Sequence, residues 1–327
     1  MVDVGTGAFT GTIEPPFKVE DVRKALENAG CDEKVMDNIA DAKPTMAINK
    51  KSGIYSADDH SYLFHPEFGA ILLGNPDAPC EMFTYNKPEN ALAYVRSNVL
   101  QVLPLVKDTF VAAKPVTPLA AKTDEHFIGK LDWVYQEELY GRGNFKGFWF
   151  NEPGDRVAFL ELDESPVLPY TVVDHIPVRG KSEITNYPKS GDPLPKINVH
   201  VSDLDGKYIH QVDLSKYKDT EILISRVTWT EATNQLLIQV QNREQTWLDL
   251  ISTDADGKNP TVLFRDKTEA WIESPGDPIL LKDGSFIWLS PRDGYKHLYL
   301  YCYFSHLSAN QIPSKLITIP LVKIHFN

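Results

Sequence analysis

Hydrophobic positions near the start of the chain recur at the spacing of an α-helix. Every third or fourth residue is apolar in two groups: Val19, Val22, Leu26 and Ala29, then Val35, Met36, Ile39 and Ala40. This period places the apolar side chains on one face of a helix. Gly30 separates the groups and stands where a helix commonly ends. Residues 18–43 are therefore predicted to form two short helices that pack against the rest of the protein.

From about Lys51 onward the hydrophobic runs become short and β-rich, with polar turn residues between them. Paired strands are predicted at 52–66 and 68–77, and three strands at 82–105, with turns at Asn86–Asn90 and Ser97–Asn98. A strand, a polar turn and further strands recur in residues 147–164, 226–258 and 278–303. This order is typical of β-propeller blades, which span roughly 40–50 residues each.

The spacing between predicted blades leaves room for two insertions, at residues 107–130 and 165–203. The second segment contains six prolines, and proline suits edges and loops rather than central strands. We therefore predict that this segment leaves the regular blade pattern.

Composition narrows the possible partners. The 327 residues carry a net charge of -12, with 42% hydrophobic and 24% charged residues. This balance supports a packed core and argues against global disorder. Because phosphate binding requires a basic face, the charge argues against a nucleic-acid partner. It is compatible with a cationic ligand and also with simple solubility.

The sequence shows no targeting or membrane signal. The first residues lack a basic start with a long apolar run, so no signal peptide is predicted. No stretch approaches the ~20 apolar residues of a membrane span. We expect the chain to stay where it is made, cytoplasmic by default, although this does not decide whether a longer product is exported.

We predict no metal site and no cofactor. The cysteines (Cys31, Cys80 and Cys302) lack the spacing of a disulfide framework or zinc site and are interpreted as free thiols. His60 and His65 lack a metal-binding helical spacing. Residues 254–258 resemble part of a calcium loop without its later glutamate, so a hairpin turn is predicted. Four tryptophans are interpreted as blade core rather than a sugar platform: Trp229, Trp247, Trp271 and Trp288.

The stretch Leu131–Trp149, LDWVYQEELYGRGNFKGFW, contains the strongest candidate for binding chemistry. Glu137 and Glu138 are adjacent carboxylates, and a fold that holds two like charges together requires a compensating cation. A peptide's free α-amino group is one such cation. Arg142 or Lys146 is another, and taken alone the pair would be interpreted as a strand end neutralised by one of these side chains.

This stretch also resembles the propeller domain of the dipeptidyl peptidase IV family. Further strings occur in family order: VAFLELDESPV, YTVVDHIPVRGKSEITNYPKSGDPLPK, QVQNREQTWLDL and LKDGSFIWLSPRDGYKHLY. The resemblance implies an all-β fold, a partial β-propeller with about five of the family's eight blades. We expect a helical lead-in at 1–50, blades at 51–305 with the glutamate segment at 131–149, and an unmatched tail at 306–327.

The family removes dipeptides from free N-termini, typically after proline, with a Ser-Asp-His triad on an α/β-hydrolase domain. The resemblance implies that Glu137 and Glu138 bind the substrate's α-amino group. Gln136 departs from relatives that have a third glutamate there. No arginine aligns with the one that the family uses for the substrate carbonyl.

No catalytic residue is assigned. The G-x-S-x-G pattern that exposes the family's nucleophile does not occur in the 327 residues. Ser285 and His297 are therefore not assigned to a triad, and a hydrolase domain is expected to be missing from this chain. An open arc of blades would also expose sheet edges.

Three functional hypotheses remain. The first is the substrate-recognition propeller of a serine dipeptidyl peptidase, inactive as this isolated chain, whose full-length form could be a homodimer. The second is a non-catalytic propeller that binds peptide N-termini or a protein partner. A weaker third is a glycan-acting propeller, which requires carboxylates facing each other across a cleft.

Overall fold

The computed structural model describes residues 16–46, 51–105, 114–301 and 319–322. Its first elements are the helices α1 (Val19–Asn28) and α2 (Glu33–Asp41), as predicted. Gly30 adopts a φ of 77° between them. Its N–H donates to Glu27 O, and the next N–H donates to Leu26 O, which is a Schellman ending. The helices bury their apolar face on the first sheet.

Most of the remaining described chain forms antiparallel sheets, in agreement with the predicted all-β fold. Sheet 1 contains β1 (Thr45–Met46), β2 (Gly53–Ala57), β3 (His60–His65) and β4 (Gly69–Gly74). Sheet 2 contains β5 (Cys80–Tyr85), β6 (Ala91–Arg96) and β7 (Val99–Pro104). The short strand β8 (His126–Ile128) pairs in parallel with β7 at a single position and antiparallel with β10 of sheet 3, so it joins sheets 2 and 3 into one continuous sheet of eight strands.

The following sheets repeat the arrangement. Sheet 3 contains β9 (Phe148–Phe150), β10 (Arg156–Asp163), β13 (Lys196–Asp203) and β14 (Ile209–Gln211). Sheet 4 contains β15 (Ile222–Trp229), β16 (Leu236–Asn242), β17 (Trp247–Thr253) and β18 (Thr261–Lys267). Sheet 5 contains β19 (Ile279–Leu280), β20 (Phe286–Ser290), β21 (His297–Tyr301) and β22 (Ile319–Val322).

One hairpin lies outside these sheets. β11 (Pro169–Asp174) pairs only with β12 (Lys181–Asn186) within the described residues. It occupies the first part of the predicted proline-rich insertion, and the chain returns to the blade pattern at β13. We call β11, β12 and their connection the exposed hairpin, because every residue of β11 is exposed.

An asparagine builds the same turn in three sheets. The side-chain oxygens of Asn86, Asn151 and Asn242 each accept a bond from the backbone N–H five residues later, at 2.9, 2.9 and 3.0 Å. Such a side chain replaces a backbone acceptor and closes the turn. The repeated polar turns in the sequence therefore have one physical basis.

Successive sheets pack face to face through alternating side chains. On β6, Leu92 and Tyr94 face sheet 1, whereas Ala93 and Val95 face sheet 3. Further apolar clusters join sheet 3 to sheet 4 and sheet 4 to sheet 5. The five sheets of the described residues thus form an open arc that does not close into a ring, as a partial propeller does.

The tryptophan prediction is correct in part. Trp229 and Trp288 are buried, and Trp247 packs partly buried against the core between sheets 3 and 4. For Trp271 the prediction is wrong, since 59% of this residue is exposed. It lies in the irregular segment between β18 and β19, and its ring N–H donates to Gln245 Oε1 at 2.6 Å. The next residue of this segment, Ile272, is the one that packs into the core between sheets 4 and 5.

Other predictions concern cysteines, a turn and membrane segments. Cys31 and Cys80 are free thiols, whereas Cys302 lies outside the described residues. The predicted turn at 254–258 is confirmed, since Asp254 Oδ1 accepts the N–H of Asp256 at 3.0 Å and of Lys258 at 2.8 Å. Across the described ranges, neither helix has the length and apolarity required to span a bilayer.

Candidate functional site

The glutamate pair lies on a short helical turn rather than on a strand end. Residues Tyr135–Leu139 form a single π-helical turn, which we call the glutamate turn. Asp132 caps its start, because its carboxylate accepts the N–H of Tyr135 at 2.8 Å. The N–H of Tyr140 donates to Tyr135 O at 2.9 Å, the five-residue step of a π-helix. Such single turns recur at functional sites.

Gln136 stabilises the loop that follows the turn. It is buried, and its Oε1 accepts the N–H of Gly143 at 2.6 Å. Its side-chain oxygen therefore bonds to the backbone of the loop and does not add a third acceptor beside Glu137 and Glu138. The departure from the family pattern at this position has a structural use.

Glu137 and Glu138 have different surroundings because consecutive helical residues point in different directions. Glu137 Oε1 accepts a bond from Arg142 Nε at 2.7 Å, and only 16% of the Glu137 side chain is exposed. Arg142 is thus the neutralising cation that the sequence allowed. Lys146 is not, since its Nζ lies 5.0 Å from the centre of the Phe148 ring and burial lowers its pKa.

Glu138 is exposed and lines a cleft of about 280 Å³. Trp133 and Tyr187 form part of its wall, in an edge-on contact with ring centres 4.8 Å apart. Lys189 and Arg243 also line the cleft, and Arg243 is bonded to Glu221 at 2.9 Å. The cleft therefore combines an available carboxylate with an aromatic surface.

Residues of sheet 4 contact both ends of the glutamate turn and hold it in place. Tyr135 is buried, and its hydroxyl accepts the N–H of Ile224 at 3.3 Å. Arg226 donates to Leu139 O at the end of the turn, and its guanidinium lies 5.1 Å from the centre of the Tyr140 ring. A cation at the last carbonyl groups of a helical turn stabilises them. The β-bulge between Ile224 and Arg226 brings both contacts to the same side.

Two buried carboxylates lie next to the turn. Asp132 and Glu164 are 3% and 7% exposed. Burial raises the pKa of Asp132 to about 6, while the capping bond opposes the shift. Burial and then the charge of Asp132 raise the pKa of Glu164 to about 7. This pair was not predicted from the sequence, although both residues lie within strings that resemble the family pattern.

A third buried carboxylate links three strands. Glu161 on β10 accepts bonds from His200 Nε2 on β13 at 2.6 Å and from His126 Nε2 on β8 at 2.8 Å. His126 Nδ1 accepts the N–H of Lys122, which assigns the proton to Nε2. The bond from His200 is the main reason that the pKa of Glu161 is lowered to about 2. Nothing local in the sequence identified this cluster.

The structure does not bring Ser285 and His297 together. Ser285 immediately precedes β20, where Phe286 pairs with Tyr301. His297 pairs with Ser290 at the other end of the same strands. The structure therefore separates them along the sheet.

The fold and the candidate site together define a class of protein. Five sheets in an open arc, with two adjacent carboxylates on a turn packed against sheets 3 and 4, form a partial β-propeller with a cleft that Glu138, Lys189 and Arg243 line together. The chain belongs to the family of the dipeptidyl peptidase IV (DPP IV) N-terminal region, whose family model matches residues 57–317.

Similarity in sequence and in structure to known proteins supports this family membership. Dipeptidyl aminopeptidase B of Saccharomyces cerevisiae is 29% identical over 226 residues, or 64% of this chain and 26% of the yeast protein. The chain thus spans about a quarter of that relative's length. The crystal structure of Porphyromonas gingivalis dipeptidyl peptidase 4 has the same fold, with a TM-score of 0.68 at 19% identity over 92% of this chain and 41% of that chain.

Proposed function

We propose that this chain is the substrate-recognition propeller of a DPP IV-like serine peptidase, in which Glu137 and Glu138 bind the α-amino group of a peptide. The observation that carries the proposal is the position of Glu138 on an aromatic-walled cleft, directly beside Glu137 on the glutamate turn. Membership of the DPP IV family supports the same assignment.

The chemistry of the cleft suits a peptide N-terminus. An α-ammonium group has three donors, and two carboxylates can accept them in charge-assisted bonds. Trp133, which is 39% exposed, and Tyr187 offer an apolar surface for the first side chain of the peptide. Because the ammonium group carries the charge, acetylation of the peptide removes the main interaction.

Peptide-bond hydrolysis is placed outside these 327 residues, since they contain no G-x-S-x-G nucleophile motif. We propose a helical lead-in at 1–50, blades at 51–305 and a tail at 306–327 that adds β22 to sheet 5, with the reaction on a hydrolase domain of the complete protein. The isolated chain is then expected to leave a Gly-Pro chromogenic substrate intact. Cleavage that a serine-directed inhibitor abolishes would contradict this part of the proposal.

Calorimetry with a short Gly-Pro peptide and its N-acetylated twin tests the binding role. We expect heat of binding only from the free amine, and its loss when Glu137→Gln and Glu138→Gln are combined. Glu269→Gln, which alters an exposed glutamate between β18 and β19, is the matched control and should bind like the wild type. Equal binding of both peptides, or of the double variant, would refute the amine site.

A cleavage assay and the mass of the native product separate the recognition domain from a stand-alone binding module. For the recognition domain, the intact protein that contains this sequence should cleave the peptide that the propeller binds. If the native product has the mass of this chain and binds amines without cleaving them, the non-catalytic module is the correct function.

A further inference from the structure

Arg142 contacts the glutamate that the proposed amine site requires. Its Nε lies 2.7 Å from Glu137 Oε1, and its Nη2 contacts the same oxygen. The arginine side chain is 85% exposed, whereas the glutamate is 16% exposed. The cation therefore lies on the solvent side of the carboxylate, where an arriving ligand meets it first.

The pairing distinguishes the two glutamates. Within the described residues, Glu138 forms no ion pair, although its charge contributes to the raised pKa of the Arg142 guanidinium. The bond to Glu137 is the larger cause of that shift. Arg142 thus interacts with both carboxylates but bonds to one of them, so an ammonium that needs both must replace it at Glu137.

The backbone on both sides of Arg142 leaves room for its side chain to move away from Glu137. Gly141 and Gly143 flank it with φ values of 100° and 82°, and a Cβ at either glycine would meet no atom within 4 Å. The loop is therefore not packed tightly on either side of the arginine. An exposed ion pair is also weak, because water and salt screen it and two long side chains must be ordered.

We infer that Arg142 is a third charged member of the amine site, which exchanges with the ligand's ammonium group at Glu137 and so sets the affinity for free N-termini. The inference rests on the proposed function. When the ammonium binds, the guanidinium moves into solvent and stays charged, so no proton is transferred. The affinity is lowered by the free energy needed to break the arginine–glutamate bond.

Isothermal titration of the same Gly-Pro peptide into the Arg142→Ala variant tests this exchange. We expect the dissociation constant to fall by about two- to fivefold, the range that the strength of a surface ion pair allows. Arg142→Lys, which keeps a cation at this position, should stay close to the wild-type value. Arg179→Ala, in the exposed connection of the β11–β12 hairpin, is the matched control and should not change the affinity.

A double-mutant cycle shows whether the effect acts through Glu137. In the Glu137→Gln background, removal of Arg142 should no longer tighten binding, whereas a general change of surface charge would tighten it in both backgrounds. If wild type binds the free amine but Arg142→Ala binds equally or more weakly, the exchange is refuted and the amine site stands. If the wild-type protein binds no free amine, the proposed amine site and the exchange at Glu137 are both refuted.

Discussion

The hydroxyl of Tyr135 accepts a hydrogen bond from the backbone N–H of Ile224 at 3.3 Å, across a separation of 89 residues. This contact joins the glutamate turn to sheet 4 at the β-bulge. Arg226 contacts the other end of the turn through Leu139 O. The direction in which Glu137 and Glu138 point is therefore determined by the neighbouring blade as well as by the local sequence.

Tyr135→Phe should destabilise the protein, because it leaves the buried N–H of Ile224 without its acceptor. A lost bond of this kind costs about 1–3 kcal/mol. Tyr140→Phe is a matched control, since the Tyr140 hydroxyl is buried and has no hydrogen-bond partner in the described part of the chain. We expect this control to be neutral or slightly stabilising. The urea unfolding midpoints of the two variants measure the difference in stability. An equal loss of stability in both variants would contradict the role of Tyr135.

The raised pKa of Glu164 predicts that stability falls as pH rises. The folded protein holds this proton up to about pH 7, whereas the unfolded chain releases it near the ordinary value of 4.5. Between pH 4.5 and 7 the folded state therefore binds more protons than the unfolded chain. The stability contributed by protonated Glu164 is complete below pH 4.5 and is lost as pH rises through 7. Asp132 acts in the same direction, with its pKa near 6.

Glu164→Gln should remove part of this slope. We expect the difference in unfolding free energy between pH 5 and pH 8 to shrink by about 1–3 kcal/mol in the variant. Glu231→Gln, at an exposed position after β15, should keep the wild-type slope. Denaturant titrations at both pH values provide the measurement, and an unchanged slope in Glu164→Gln would show that this carboxyl group is not responsible.

Glu161 should behave in the opposite way. Its pKa is lowered from 4.5 to about 2 by the bonds from His200 and His126. Its contribution to stability is then present above pH 4.5 and is lost as pH falls towards 2. Glu161→Gln should cost about 1.5–3 kcal/mol at neutral pH, because a neutral amide replaces a buried carboxylate that accepts charge-assisted hydrogen bonds. It should also flatten the acid limb of the stability curve, and an unaltered limb would contradict the assignment.

Local patterns explain why much of the fold could be predicted. Helical periodicity identified α1 and α2, and the polar turns closed by Asn86 and Asn151 separated the strands correctly. The candidate site was predicted from the string around Glu137 and Glu138. Its geometry was not, because a string cannot show that the pair lies on a π-helical turn held from sheet 4. The cluster around Glu161 joins residues 35 and 39 positions apart and has no local pattern.

If the complete protein is a homodimer, we propose that the exposed hairpin forms the contact between its subunits. Ile176, Val178 and Ile184 of this one hairpin are 94%, 107% and 71% exposed, although β-branched apolar side chains usually pack in a core. Clustered exposed apolar residues mark interaction sites. We expect Ile176→Asp with Val178→Asp to shift a dimer of the intact protein towards monomer in sedimentation equilibrium. Ile279→Asp changes an exposed isoleucine on β19 and should leave the dimer intact. If both variants sediment alike, the hairpin is not the contact.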